Sequence, residues 1–169
     1  MVDVTAFDWG TLSAARYARP DAIAGMVGHA LWVLEDLLED ADHGCTFTVA
    51  DGPWTSDGVT ASVNALLPGD CRVSHLEPVS SWSALVREAL PRRFVPGRPP
   101  SAWSTQAPAR VLAEALADWV VALLARLWPA SAQAWEVTVE TGSWYEADYI
   151  DLAVGANDRV WLLHLGVSD

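Results

Sequence analysis

Lysine is absent: all ten basic side chains are arginine, set against 22 Asp and Glu, for a formal net charge of −12. Without lysine there is neither a Schiff-base amine nor the cation of a Walker-type phosphate clamp. Gly-x-Gly-x-x-Gly, Gly-x-Ser-x-Gly and His-Glu-x-x-His are missing as well, which removes most of the support for the common nucleotide-dependent and hydrolytic families. No cofactor is expected. Nucleic acid and an anionic membrane surface are disfavoured together, because both need clustered cations to displace counterions.

Long apolar runs are also lacking. The longest, Trp119 to Ala125, falls far short of the roughly 18 residues of a membrane span. Residues 1–10 carry Asp3 and Asp8 with no cationic or apolar region, unlike a secretory signal, so a cytoplasmic location is expected. Cysteine is limited to Cys45 and Cys71, expected to be reduced thiols in that compartment.

What is present is a chain that can bury a core: 51% of its 169 residues are hydrophobic, and ten are tryptophan. Trp is a large amphipathic group used in cores and at interface hot spots. From Pro20 to Ala41 apolar residues recur at three- and four-residue spacing through Ile23, Val27, Leu31 and Leu34, which predicts an amphipathic helix. A second long helix is expected after Thr105 or Gln106, with Pro108 near its first turn, and runs to Pro129 with a wide stripe from Val111 to Leu127. Ser81 is a candidate N-cap for a short helix that Pro91 would end. Alternation predicts strands over Cys45–Asp51, Val59–Val63 and Cys71–Leu76, then a meander of Trp135–Thr141, Trp144–Val154 and Arg159–Leu165. The expected fold is α+β, a single domain over residues 1–169. Its antiparallel sheet includes a C-terminal three-stranded meander and packs against two long helices and one short one. Residues 91–108 hold five Pro and one Gly and are expected to form a loop.

Charge is segregated along the chain. Between Leu31 and Thr60 there are seven acids and no base, between Arg87 and Arg110 five Arg and one Glu, and between Glu136 and Asp158 six acids and no base. Glu35, Asp36, Glu39 and Asp40 place like charges at i, i+4 near a helix C-terminus, where the macrodipole favours cations. Such an arrangement is either a solvated face or a docking surface that steers a cationic partner.

The C-terminal hairpin offers a candidate site. With Val154 opposite Arg159 across a four-residue turn, Ile150, Leu152, Val154, Trp161, Leu163 and Leu165 share the core face. Tyr149, Asp151 and His164 fall on the other face, with Tyr149 opposite His164. An acid, an imidazole and a phenol on one surface suit general acid/base work, or else a hydrogen-bonded polar patch. Glu146 and Asp148, on the core-face parity, form a weaker acid pair, with Trp144 and Tyr145 beside them as a stacking or anchoring pair. His43, Cys45, Cys71 and His75 supply four ligands in number for zinc, but their spacing matches no common module, and no metal is expected.

The segment from Trp144 to Asp151 and the ending from Val160 to Asp169 resemble the close of small bacterial proteins, some of toxin-immunity type. That resemblance covers about the last 35 residues and implies a small acidic α+β protein that occludes a toxin or effector. The expected function is therefore a non-enzymatic cytoplasmic binding protein of immunity or inhibitor type. It would present Glu35, Asp36, Glu39, Asp40, Trp144, Tyr145, Asp148 and Asp151 to a basic protein partner. The alternatives are a small hydrolase or isomerase using Tyr149, Asp151 and His164, and a structural subunit that buries its surplus Trp in a homo-oligomer.

Overall fold

The computed structural model describes residues 20–39, 44–93, 107–129, 131–143 and 145–168. Helix α1 spans Pro20–Glu39, opened by a proline that suits a first helical position. Its buried stripe of Ile23, Val27, Ala30, Leu31 and Leu34 follows the helical period. Strand β1, Gly44–Pro53, leads into helix α2, Val59–Asn64, and strand β2, Arg72–Pro78. Helix α3, Trp82–Arg93, precedes helix α4, Ala107–Leu127. The chain closes with strands β3, Gln133–Glu140, β4, Asp148–Ala156, and β5, Arg159–Ser168.

The strands form one antiparallel sheet in the order β1-β5-β4-β3-β2, which bears out the α+β expectation. The two central strands are covered on both faces. On one face Leu152, Val154, Trp161, Leu163 and Leu165 pack with Phe47 against α1, α3 and α4 in the larger core. On the other, Val137, Ala153, Val160 and Leu162 pack with Val63, Leu67 and Cys71 in a smaller core. None of the helices in the described residues is long and apolar enough to cross a membrane.

Several expectations need correction. Residues 59–63 form a helix instead of a strand. Val59, Val63, Leu66 and Leu67 all pack on the smaller core, a four-residue spacing that suits a helix, and Gly58 with φ 93° breaks the extended chain just before it. The hydroxyl of Ser62 donates to the Gly58 carbonyl at 2.9 Å and accepts the Thr55 amide at 2.9 Å, which fixes that turn. Helix α3 begins as expected, with Ser81 Oγ accepting the Ala84 amide at 3.3 Å. It runs through Pro91 to Arg93 instead of ending at the proline; two residues follow Pro91, so the proline's disruption of the helix is confined to its last turn. Most of the expected loop at 91–108 lies outside the described residues.

The β4–β5 hairpin also differs. Ala156 pairs with Arg159, leaving a two-residue turn at Asn157 and Asp158 with φ of 54° and 60°. Asn and Asp tolerate this left-handed geometry, and paired positive φ values mark the tight turns that match strand twist. The register is thus two residues from the expected one: Asp151 lies opposite His164, and Tyr149 opposite Gly166. An even slip leaves every side chain on its predicted face.

Gly155 sits beneath the Trp54 ring, where an added Cβ would meet Trp54 Cζ3 at 2.4 Å. Trp54 in turn packs against Trp135 with ring centroids 6.1 Å apart. Gly155→Ala is expected to cost about 1–3 kcal/mol by overpacking, read as a lowered urea midpoint. Trp54→Ala in the same chain should recover part of that loss.

Candidate functional site

The centre of the site is a buried acid on a β-strand. Asp151 is 0% exposed, because β4 is flanked on both sides and the smaller core closes over this face. A carboxylate there needs partners, and it has two. His164 Nδ1 lies 2.7 Å from Asp151 Oδ1, and the Tyr145 hydroxyl donates to Asp151 Oδ2 at 2.8 Å. The Tyr145 oxygen also lies 3.2 Å from His164 Nδ1. With the phenol proton given to Asp151, the ring proton on Nδ1 serves the same carboxylate. The other ring nitrogen, Nε2, then faces Glu146, whose Oε1 is 3.8 Å away.

Glu146 reaches this position because β4 begins only at Asp148. Residues 145–147 fold back over the sheet, tied by the Ala147 amide to the Val167 carbonyl at 3.2 Å. The fold-back needs a glycine underneath. A Cβ on Gly166 would meet His164 Nε2 at 2.5 Å and Glu146 Cγ at 2.8 Å. Farther out, Asp70 anchors the same loop by accepting from Thr141 Oγ1 at 3.0 Å, the Gly142 amide at 3.1 Å and Ser143 Oγ at 3.0 Å. The hydroxyl of Thr141, then that of Ser143, holds the Asp70 carboxyl below its ordinary pKa.

Chemically, the imidazole is oriented by one buried acid and faced by a second, an arrangement suited to holding or passing a proton. Burial first, then the charge of Asp151, pushes the Tyr145 phenol far above its ordinary value. Tyr145 therefore stays a hydrogen-bond donor. Among the described residues, Glu146 Oε2 is buried without a hydrogen-bond partner.

The predicted residues are only partly gathered here. Asp151 and His164 come together. Tyr149 does not join them; its hydroxyl accepts the Val139 amide at 3.1 Å, and its ring packs edge-on against Tyr145 with centroids 4.9 Å apart. The phenol that joins the pair is Tyr145, which strand alternation placed elsewhere because the alternation does not extend before Asp148. Asp151 was also expected at a docking surface, and its complete burial removes it from one. Glu146, read as a partner of Asp148 on the core face, lies instead beside His164 on the opposite face. Asp148 is exposed at the start of β4.

Among the other acids, Glu35 is turned inward, its Oε1 accepting the amide of Phe47 on the edge strand β1, whereas Asp36 is exposed. Glu39 closes α1; Asp40, His43 and Trp144 lie outside the described residues. Cys45 packs on the larger core and Cys71 on the smaller, so the two thiols occupy opposite faces of the sheet and cannot share a metal. His75 is exposed on β2, across the sheet from β1. The described residues hold no group of three or more His, Cys, Asp or Glu placed to bind a metal ion. Compared with family models, curated proteins and solved structures, the chain finds no match in any of the three.

His164→Ala leaves Asp151 buried without its ring donor and is expected to cost about 3–5 kcal/mol in chemical denaturation. Tyr145 also imposes a pH dependence. A phenol raised in the folded state stabilises the fold below its unfolded value of about 10. That contribution fades at higher pH, because the unfolded chain releases its proton first. Wild-type stability should therefore fall above about pH 10, and Tyr145→Phe, already weakened by the lost bond to Asp151, should show a shallower fall.

Proposed function

We propose that this protein is a non-enzymatic, cytoplasmic binding protein of inhibitor or immunity type that occludes a basic protein partner through the outward face of α1. The carrying observation is Trp32, which is 57% exposed on the helix that opens the longest stretch of acids without a base. Gly25, His29, Trp32 and Asp36 line that outward face at helical spacing and are all exposed. The ring of His29 stacks on the indole with centroids 5.8 Å apart and planes 24° apart, so the anchor is held in place before any partner arrives.

A large exposed indole is the commonest kind of interface hot spot, and flanking charges act mainly on association rate and specificity. Asp36, followed in sequence by Glu39 and Asp40, supplies the acidic flank. Glu35 is subtracted from that surface because it serves β1. With a net charge of −12, long-range attraction favours a basic surface over an acidic one.

The test is affinity capture on the immobilised protein from lysate and secreted fractions at low and high salt, with identification by mass spectrometry. The expected result is a basic protein that salt releases. Trp32→Ala should weaken its binding by roughly 30-fold, about 2 kcal/mol, and joint neutralisation of Asp36, Glu39 and Asp40 should slow association. A partner held equally well by both variants would refute the assignment.

An acid/base role is the alternative that a specific observation favours, namely the 2.7 Å contact of Asp151 with His164. There the hydrolase or isomerase chemistry would use Tyr145 in place of Tyr149. Hydrolysis of p-nitrophenyl acetate that vanishes in folded His164→Gln would favour it over occlusion.

A further inference from the structure

The two edges of the sheet are unequally protected. Strand β2 is guarded along its length: Asn64 takes the Val73 amide, the register shifts between Val73 and His75, and Pro78 closes the strand. Strand β1, the other edge, keeps an unbroken register with β5 over all 10 residues from Gly44 to Pro53. It carries no basic side chain and one acid, Asp51, which is paired with Arg159 of β5. Long, regular edges without charged gatekeepers are the ones that recruit another strand.

Alternation decides which backbone groups of β1 face outward. At the end of the β1–β5 ladder the Trp54 amide donates to the Asp158 carbonyl at 3.1 Å. Even-numbered residues therefore turn their N–H and C=O groups toward β5, and odd-numbered ones turn theirs away. Accordingly, the Phe47 amide is taken from outside by Glu35, and Pro53 has no amide proton to offer. Between these two stops lie Val49 and Asp51, whose outward amides have no acceptor among the described residues.

That pattern is its own complement. With two β1 strands antiparallel about a two-fold axis at Ala50, Val49 of each copy faces Asp51 of the other, and each such pair exchanges two N–H···O bonds. Phe47 then faces Pro53, so the amide already engaged meets the residue that lacks one, and the ladder ends with no donor orphaned. A slip of two residues one way sets Asp51 against Asp51, with like charges directly opposed. A slip the other way sets the Asp51 carbonyl against the Phe47 amide and the Glu35 carboxylate that occupies it. At the axis Ala50 meets Ala50, small enough for the close approach of a pair without mutual hydrogen bonds.

We propose that β1 pairs with β1 of a second copy in this register, joining two five-stranded sheets into one. The proposal does not rest on the partner assigned to α1, and the two contacts answer to salt with opposite signs. Each copy carries a net charge of −12, so self-pairing works against long-range repulsion and strengthens as salt screens it, whereas capture of a basic partner weakens.

The test is sedimentation velocity of the full chain from about 10 μM to about 1 mM, at low and high salt. A reversible equilibrium of monomer and dimer is expected, shifted toward dimer by salt. Val49→Pro removes an outward donor and no bond to β5, a place where an edge strand accepts proline. It should weaken the dimer about 10-fold or more, because two of the four ladder bonds are lost, while thermal unfolding stays cooperative. Ala50→Cys gives an independent reading, which decides by itself if Val49→Pro does not fold. Its paired Cα atoms would stand about 4.5 Å apart, within disulfide reach, so oxidation should trap a covalent dimer that wild type, with Cys45 and Cys71 alone, does not form. Monomer under every condition would overturn the proposal and leave the edge to a strand of another protein. So would a dimer unmoved by Val49→Pro, or Ala50→Cys that cross-links no faster than wild type.

Discussion

The pairing of β4 with β5 is the constraint on which the molecule depends. These strands are the second and third of five, and their side chains supply both cores at once: Leu152, Val154, Trp161, Leu163 and Leu165 on one side, Ala153, Val160 and Leu162 on the other. Because each strand is buried on both faces, a change in their register would disturb both cores and the helices that pack on them. The tight turn at Asn157 and Asp158 sets where the ladder starts. The polar cluster at Asp151 then sits in the plane of the smaller core, where an unpartnered carboxylate would be costly.

The distribution of acids takes on a different meaning once the sheet edges are considered. Edge strands expose unpaired amides that invite pairing with another chain, and natural proteins block them. On β1 the Phe47 amide is taken by Glu35 from the end of α1. On β2 the Val73 amide is taken by Asn64 Oδ1 at 2.8 Å, the pairing with β3 shifts between Val73 and His75, and Pro78 ends the strand without a donor. One of the four clustered acids thus has a structural task that offsets its unfavourable place on the helix. Asp51 is likewise engaged, paired with Arg159 across the β1–β5 ladder. Asp36, one turn beyond Trp32 on α1, keeps its carboxylate exposed.

Legibility followed periodicity. Helices α1 and α4 and strands β1 and β5 were readable because each carries enough turns or alternations for one face to stand out. Residues 59–63 were not, because Val59, Ala61 and Val63 satisfy a period of two as well as Val59 and Val63 satisfy a period of four, and only Leu66 and Leu67 beyond the segment decide between them. At the site, Asp151 and His164 were assigned to the right face. Tyr145 and Glu146 were missed because residues 145–147 leave the strand and fold back over Gly166, a chain reversal that leaves no periodic trace. Gly166 itself was the available signal, a glycine in an otherwise apolar strand, which marks the close approach of another segment. The two cysteines were separable in principle, since Cys45 shares parity with Phe47 in a strand that faces the larger core.

Alternation also explains what the polar cluster does for the fold. Hydrophobic patterning specifies strand register only modulo two, since any even slip returns each side chain to its own face. The slip of two residues between the expected and observed hairpins is therefore one that burial alone penalises weakly. In the displaced register Asp151 would stand opposite Leu162, and His164 opposite Tyr149. A buried carboxylate would lose its ring donor, at a cost of several kcal/mol. The fold-back carrying Glu146 would lose the glycine that makes room for it. Asp151, His164 and Gly166 thus discriminate against the alternative that the apolar residues tolerate, and the tight turn at Asn157 and Asp158 selects the same register. The cluster has a structural reason to exist whether or not it moves a proton for a substrate. Loss of stability in a His164 variant is therefore silent on catalysis, which only turnover by a folded variant reveals.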